Sequence, residues 1–130
     1  MGLYYQKQLD NKNNTRTIYR CADCHSHIFT SAHVQSDNFN GKHGPGFLVS
    51  RVVNVKPGKF EAREMLTGMY EVCDIHCQQC DLYLGWKYLH ADRYEEKYKE
   101  HSYVMELRDL DHDDKDKKMT RHSNVLNVWY

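Results

Sequence analysis

The chain is 130 residues long, which is enough for one domain with its own buried core. Its 18 basic and 18 acidic residues give a formal net charge of zero, so nucleic acid is not an expected partner. The first seven residues lack the apolar segment of a secretory signal, and the chain has no apolar run of about 18 residues. We therefore expect an intracellular protein that does not span a membrane.

The N-terminal residues 1–17 are polar and show no periodicity apart from a short apolar stretch at 3–5. This pattern predicts a flexible N-terminal arm, with at most a frayed strand at 3–5. The residues that follow, 18–20, favour a strand that runs directly into Cys21 and Cys24.

Four of the five cysteines form two Cys-x-x-Cys pairs, Cys21 with Cys24 and Cys77 with Cys80. Four thiolates are the ligands that zinc prefers in a closed tetrahedral site, and paired cysteines in a reducing compartment are more often metal ligands than disulfides. The sequence therefore predicts one structural Zn²⁺, although iron also accepts four thiolates. His25 and His27 follow the first pair, and we expect them to lie outside the ligand set.

The 52 residues between the two pairs have the character of strands. Residues 36–46 contain the glycines and asparagines of a long loop. Residues 47–55 alternate so that Phe47, Val49, Val53 and Val55 share one face of a core strand. A turn is predicted at 56–59, a returning strand at 60–66, a second turn at 67–68 and a third strand at 69–75. The middle of the chain is thus predicted to be a β-meander.

Beyond Cys80, alternation places Leu82, Leu84, Trp86 and Tyr88 on one side of a further strand. One short helix follows, with Asp92 as its expected cap and Glu95 in a capping box. A strand is predicted at 102–110. Residues 111–130 begin with a run of charges, which predicts a disordered C-terminal tail whose apolar end, 125–130, docks on the domain or on a partner.

Read together, these motifs resemble the Yippee family of zinc-binding proteins. The resemblance covers residues 18–110 and is carried by the two cysteine pairs, His27, Gly41, Gly44, the sequence 52–55, Gly58, the pair 67–68, the pair 74–75, the sequence 85–88 and the sequence 97–100. It implies a mainly β fold, the β-tent, in which two antiparallel sheets meet at an angle and zinc pins them together. This fold is shared with the cereblon thalidomide-binding domain, Mis18 proteins and B-type methionine sulfoxide reductases.

The resemblance also implies a function. Family members are described as interaction proteins of the nucleus, cytoplasm or centrosome, and one branch associates with the CTLH-type (GID-type) ubiquitin ligase. We therefore expect a non-enzymatic adaptor of the nucleus and cytoplasm, possessing no catalytic residues, because four cysteines saturate a tetrahedral zinc ion.

Two alternatives stay open. The chain could be a module that binds a small ligand or modified residue, because Trp86 and Tyr88 resemble part of the aromatic cage of cereblon. The less favoured alternative is an enzyme of the sulfoxide-reductase kind, which would need a nucleophilic thiolate outside the metal site. Cys73 is the one cysteine left for that role, and we expect it to be structural.

Overall fold

The computed structural model describes residues 6–12 and 15–112. Within them the chain forms nine strands and three short 3-10 helices, Ser31–His33, Tyr94–Lys99 and Leu107–Asp109. The strands are β1 (Ile18–Cys21), β2 (His27–Thr30), β3 (Val34–Asn40), β4 (Pro45–Val49), β5 (Val55–Met65), β6 (Gly68–Cys77), β7 (Tyr83–Ala91), β8 (Tyr103–Glu106) and β9 (Leu110–His112). The predicted strand at 3–5 and residues 113–130 of the predicted tail lie outside the described residues.

Every strand pairs antiparallel with its neighbours, and the strands form two sheets. The small sheet has the order β2-β1-β9, and the large sheet has the order β3-β4-β8-β7-β6-β5. The prediction of a mainly β fold with two antiparallel sheets and little helix is confirmed.

The large sheet buries both of its faces. On β6, Cys73, Ile75 and Cys77 pack into one apolar cluster with Ile28 and Phe29 of the small sheet. We refer to this side as the metal face. The alternate residues of β6, Tyr70 and Val72, pack on the opposite side, which we refer to as the groove face. The remaining members of that second cluster are Leu48, Trp86, Tyr88, Ala91 and Val104.

The predicted alternation beyond Cys80 is wrong at Leu82 and Leu84. Both leucines pack on the metal face, whereas Trp86 and Tyr88 pack on the groove face. The cause is an irregularity in the pairing with β6, where Ile75 lies opposite Gly85 but His76 lies opposite Tyr83. An extra residue in one strand reverses the sides on which the following side chains point. The bulge therefore aims both aromatic rings away from the metal.

The predicted strand 47–55 and turn 56–59 are also wrong. β4 ends at Val49, and residues 56–59 lie inside the 11-residue strand β5. Pro57 is tolerated there because β5 is the last strand of the sheet and its register shifts between Pro57 and Phe60. The predicted reversal between β5 and β6 is present but lies one residue earlier, at 66–67, because Gly68 already belongs to β6 and pairs with Met65.

The predicted helix is present as the 3-10 helix Tyr94–Lys99, but its predicted cap is wrong. The helix is preceded by Arg93 and has no side-chain cap. The backbone N–H of Asp92 instead donates to the carbonyl oxygen of Met69, at 3.1 Å. Tertiary pairing with the β5-β6 hairpin therefore fixes the start of this helix.

Residues from the predicted flexible arm and from the predicted disordered tail make ordered contacts with the sheets. Asp111 and His112, the first residues of the predicted tail, belong to β9 and pair with Arg20 and Tyr19 of β1. In the predicted N-terminal arm, the backbone N–H of Lys7 donates to Asn54 Oδ1 at 2.8 Å. Backbone pairing to a sheet or a polar side chain thus orders residues whose own sequence carries no periodicity.

Candidate metal centre

The four predicted ligands meet at one point between the two sheets. Cys21 ends β1 of the small sheet and Cys77 ends β6 of the large sheet, so each pair leaves a strand end. The Sγ atoms of Cys21 and Cys80 are 3.5 Å apart, as are those of Cys24 and Cys77. All four Sγ atoms lie within 4.8 Å of one another.

The two pairs have the same backbone geometry. In the first, the N–H of His25 donates to the Cys21 carbonyl at 2.8 Å; in the second, the N–H of Asp81 donates to the Cys77 carbonyl at 2.9 Å. His25 and Asp81 both adopt a positive φ, of 66° and 71°. Each turn therefore reverses the chain in the same way and brings its two sulfurs to the same side.

A second hydrogen bond closes each turn. The N–H of Cys21 donates to the carbonyl of Ser26 at 2.9 Å, and the N–H of Cys77 donates to the carbonyl of Leu82 at 2.8 Å. In both turns the donor and acceptor are five residues apart. This repetition is not evident in the sequence, because the positive-φ residue is histidine in one turn and aspartate in the other, whereas glycine would have signalled it.

The protein environment opposes negative charge on some of the sulfurs. Burial raises the pKa of Cys21 and, more strongly, the pKa of Cys80. Burial acts in the same direction on Cys24, but hydrogen bonds from Ser26, whose Oγ lies 3.1 Å from the sulfur, and from Cys77 and Cys80 together outweigh it and lower the pKa. Thiolates crowded this closely need a cation between them, because a coordinated metal stabilises the deprotonated form.

The donor set fits zinc. A zinc–sulfur bond of about 2.3 Å places the sulfurs of a tetrahedral site about 3.8 Å apart. Two of the Sγ–Sγ distances are 3.5 Å and all four sulfurs lie within 4.8 Å of one another, which agrees with that value. Cys21, Cys24, Cys77 and Cys80 therefore form the predicted zinc site.

The remaining candidates of the sequence analysis lie outside the ligand cluster. Cys73 is buried on the metal face, with 3% of its surface exposed, and burial raises its pKa. His27 accepts a hydrogen bond at Nδ1 from the N–H of Leu9, at 2.9 Å. His25 lies 3.4 Å from the Asp111 carboxylate. None of the three side chains belongs to the four-sulfur cluster.

Asn54 is a residue of this region whose role the sequence analysis did not identify. Its side-chain Nδ2 donates to the carbonyls of Lys7 and His27, at 3.0 and 2.7 Å, and its backbone carbonyl accepts from the N–H of Gln78, at 2.9 Å. Asn54 thus ties the arm to the second cysteine turn and to the strand that follows the first. Its φ of 60° is a conformation that asparagine tolerates better than most residues.

Trp86 and Tyr88 lie on the opposite side of the large sheet from the metal. Both line a cavity of about 610 Å³. Their rings are nearly perpendicular, with centroids 6.2 Å apart, and only 5% and 3% of their surfaces are exposed. Burial raises the pKa of Tyr88 to about 12, partly offset by the ammonium group of Lys99. The two residues thus combine a packing role with a position on a cavity wall.

Comparison with known proteins agrees with this geometry. The family model described as "Yippee zinc-binding/DNA-binding /Mis18, centromere assembly" matches residues 17–123. The protein "yippee-like 3" of Homo sapiens is 42% identical over 92 residues, which is 71% of this chain and 77% of that protein. The "yippee-like" protein of Solanum tuberosum is 42% identical over 106 residues, covering 82% of this chain and 78% of that protein.

A solved structure supports the fold. The crystal structure of the Mis18 "Yippee-like" domain superposes with a TM-score of 0.59 at 15% identity, and the match covers 76% of this chain and 96% of that domain.

Among the described residues, the structure has no helix with the length and apolar character needed to cross a membrane.

Proposed function

Since the chain belongs to the Yippee-Mis18 family, we propose that it is a non-enzymatic interaction protein in which zinc fixes two sheets as one rigid platform. The observation that carries this proposal is the position of the four sulfurs. Two follow a strand of the small sheet and two follow a strand of the large sheet, all within 4.8 Å of one another. A metal bound there stabilises the relative arrangement of the sheets.

The coordination chemistry supports a structural role. Four protein sulfurs complete the tetrahedral shell of zinc and leave no position for a water or substrate. Bound zinc would supply folding energy, which reaches about 10–16 kcal/mol of apparent binding free energy in zinc-finger peptides. The chain's own contribution is to hold the sulfurs through the matched turns at Cys21 and Cys77.

The state of Cys73 also supports a non-enzymatic protein. A nucleophilic cysteine needs an exposed, electropositive environment that lowers its pKa. Cys73 is buried and its pKa is raised, chiefly by that burial. Incubating the zinc-loaded protein with methionine sulfoxide and a thiol reductant tests this assignment. We expect no turnover, and turnover that disappears in Cys73→Ser would show that the protein is a reductase.

The finer proposal concerns the partner. We propose that the protein acts in the nucleus and cytoplasm as a subunit or regulator of a CTLH-type (GID-type) ubiquitin ligase, the assembly implied by the family resemblance. Affinity purification of the tagged full chain, followed by mass spectrometry, tests it against a tag-only control. Recovery of several ligase subunits supports the proposal. Recovery of other proteins without any ligase subunit would contradict the finer proposal and leave the interaction role standing.

A second candidate function is binding of a small ligand or modified residue. The position of Trp86 and Tyr88 on the wall of a 610 Å³ cavity favours it, because ligand pockets are concave and lined by aromatic side chains. The test is a titration with uridine and, separately, with glutarimide, in which the NMR signal of the Trp86 indole N–H is monitored. A saturable shift supports the pocket, and an unchanged signal favours a packing role for Trp86.

A further inference from the structure

The cavity beside Trp86, which we refer to as the groove, lies between the two free edges of the large sheet. Its walls include Phe39 and Asn40 of β3 and Arg63 and Met65 of β5. β3 and β5 are the first and last strands of the sheet. The sheet therefore curves so that both edges border one cavity of about 610 Å³. That is large enough for several side chains of a partner.

A cation of the protein already fills the aromatic part of the groove. Lys99 is 4% exposed, and its Nζ lies 5.1–5.8 Å from the centres of four rings, those of Phe39, Tyr70, Tyr88 and Tyr98. The same Nζ is 2.8 Å from a carboxylate oxygen of Glu96. A cationic ligand would have to displace this ammonium group. The groove is therefore poorly suited to a lysine, a methylated lysine or another cation.

The charges of the groove favour an anion. Its described lining residues include three cations, Lys42, Arg63 and Lys99, and one carboxylate, Glu96, which is paired with Lys99. The carboxylates that pair with these cations lie outside the lining: Asp74 is 3.6 Å from Lys42 Nζ and 3.4 Å from Arg63 Nη2, and Glu61 also pairs with Arg63. Lys42 and Arg63 thus border the groove while the counter-charges of both do not, and these are the cations that an incoming acidic group would approach.

Buried polar atoms without partners concentrate around the same cavity. Five such side-chain atoms occur among the described residues, and three belong to lining residues: Asn40 Oδ1, Arg63 Nη1 and Trp86 Nε1. This concentration gives the groove donors and acceptors that a bound molecule can pair with.

The rim of the groove is apolar and exposed. Leu66, at the tip of the β5-β6 hairpin, is 100% exposed, and Tyr98 is 63% exposed; both line the groove. Large apolar side chains exposed beside a cavity mark interaction sites more often than scattered ones do. A partner that covers Leu66 and Tyr98 must be larger than a small ligand that enters the cavity alone.

We propose that the groove binds an acidic segment of a partner protein. The segment places its carboxylates towards Lys42 and Arg63, and an apolar side chain beside Leu66 and Tyr98. This inference rests on the proposed interaction function, since it supplies the binding face that such a function needs. It assigns that face to the side of the large sheet opposite the zinc site.

The test uses the zinc-loaded full chain and a phage-displayed library of random twelve-residue peptides. We expect the selected peptides to be rich in Asp and Glu beside a large apolar residue. Selection of peptides rich in Lys and Arg, or of no peptide at all, would overturn the proposal. Saturable binding of uridine or glutarimide without any selected peptide would assign the groove to small ligands.

A matched pair of variants at Leu66 then isolates the sign of the charge. Leu66→Glu and Leu66→Lys remove the same apolar contact at a fully exposed position, so neither affects the core. By fluorescence anisotropy at low salt we expect the selected peptide to bind Leu66→Lys about tenfold more tightly than Leu66→Glu, with the ratio shrinking at high salt because screening weakens exposed charge interactions. An equal affinity, or the opposite order, would contradict the proposal.

Lys7→Glu is the control for a distant change of charge, because Lys7 is exposed and contacts Asn54 outside the groove. Its affinity for the peptide is expected to match that of the unaltered chain. If the Leu66 variants bind peptide equally while the tagged chain still recovers protein partners, the groove is excluded and the interaction function survives. If the Leu66 variants bind peptide equally and the tagged chain also recovers no protein partner, the interaction function itself is rejected.

Discussion

The two faces of the large sheet are built in different ways. On the metal face, two turns with the same hydrogen bonds and the same positive φ bring four sulfurs together. On the groove face, residues from β3, β5, β7 and the 3-10 helix Tyr94–Lys99 enclose a cavity that keeps unpaired polar atoms in its walls. The first arrangement is complete once a metal binds. The second leaves donors and acceptors without a partner in the described part of the chain, which is a feature expected of a binding face.

The comparison predicts that the two faces fail differently. Changes on the metal face should release zinc and unfold both sheets. Changes on the groove face should lower stability or peptide affinity while zinc stays bound.

The largest effect is expected from Cys77→Ser. Removing one of four thiolates should abolish tight zinc binding and leave most of the chain unfolded at about 25 °C, because a structural site supplies about 10–16 kcal/mol of apparent binding energy in zinc-finger peptides. Zinc content by mass spectrometry and the circular dichroism spectrum measure this. Cys73→Ser is the matched control, since Cys73 lies in the same strand but outside the cluster. A folded, zinc-loaded Cys77→Ser protein would show that the fourth sulfur is dispensable.

Gly85→Ala tests the close approach of β7 to β8 beside the bulge. A Cβ at this position would lie 1.9 Å from the backbone oxygen of Val104, so the paired strands must move apart. Gly44→Ala is the control, because Gly44 has a positive φ of 134° but nothing within 4 Å of the added atom. We expect Gly85→Ala to lower the free energy of unfolding by about 1–3 kcal/mol more than the control does, the usual cost of overpacking. Equal losses by urea denaturation would contradict a close approach of the two strands at Gly85.

Glu106→Gln tests the support of the groove wall. Glu106 is fully buried and accepts hydrogen bonds from the N–H groups of Lys42 and His43 and from the hydroxyl of Tyr83, at 2.8–2.9 Å. An amide group cannot accept all three, so we expect a loss of about 1.5–3 kcal/mol with zinc retained. The exposed Glu64→Gln is the control. A loss no larger than that of Glu64→Gln would mean that the carboxylate does not hold this loop.

The smallest effect is expected from Lys99→Met, about 1 kcal/mol by urea denaturation, because methionine keeps the contacts with the aromatic rings. Burial alone would lower the pKa of Lys99, but the Glu96 carboxylate and the Tyr70 hydroxyl outweigh it and raise the pKa. The stability gained from this raised pKa is fully present below the unfolded lysine value of about 10.4 and is lost only as pH rises through the folded value.

The difference in stability between the unaltered chain and Lys99→Met should therefore stay constant from about pH 6 to about pH 9. A difference that vanishes within that window would contradict the assignment of Lys99 as a charged group. Tyr94→Ser is the control, because it alters an 86% exposed residue of the same 3-10 helix and should change stability little.

The sequence predicted the metal face well, because its information is local. Each Cys-x-x-Cys pair supplies two ligands within one turn, and chemistry alone indicates that two such pairs share a metal. The pairing of Lys7 with Asn54, and of Asp111 with Arg20, depends on residues far apart in the chain. Periodicity carries no signal for such contacts, so it predicts neither of them.

The groove was predicted only in part. Trp86 and Tyr88 were identified from the resemblance, but simple alternation placed Leu84 on their side. The irregular pairing of β7 with β6 beside Gly85 reverses that order, and at Gly85 itself the backbone of Val104 in β8 leaves no room for a side chain. The burial of Lys99 among aromatic rings was also missed, since a lysine in a charged segment is ordinarily solvated. Both features follow from tertiary packing that no short stretch of sequence encodes.

The central claim is that one zinc ion joins the two sheets into a single folding unit. The most direct test is to measure metal content and thermal unfolding of the full chain before and after exhaustive chelation under reducing conditions. We predict one zinc per chain before treatment and loss of the cooperative transition afterwards, with recovery when zinc is returned. A metal-free protein that melts cooperatively at an unchanged temperature would contradict the claim.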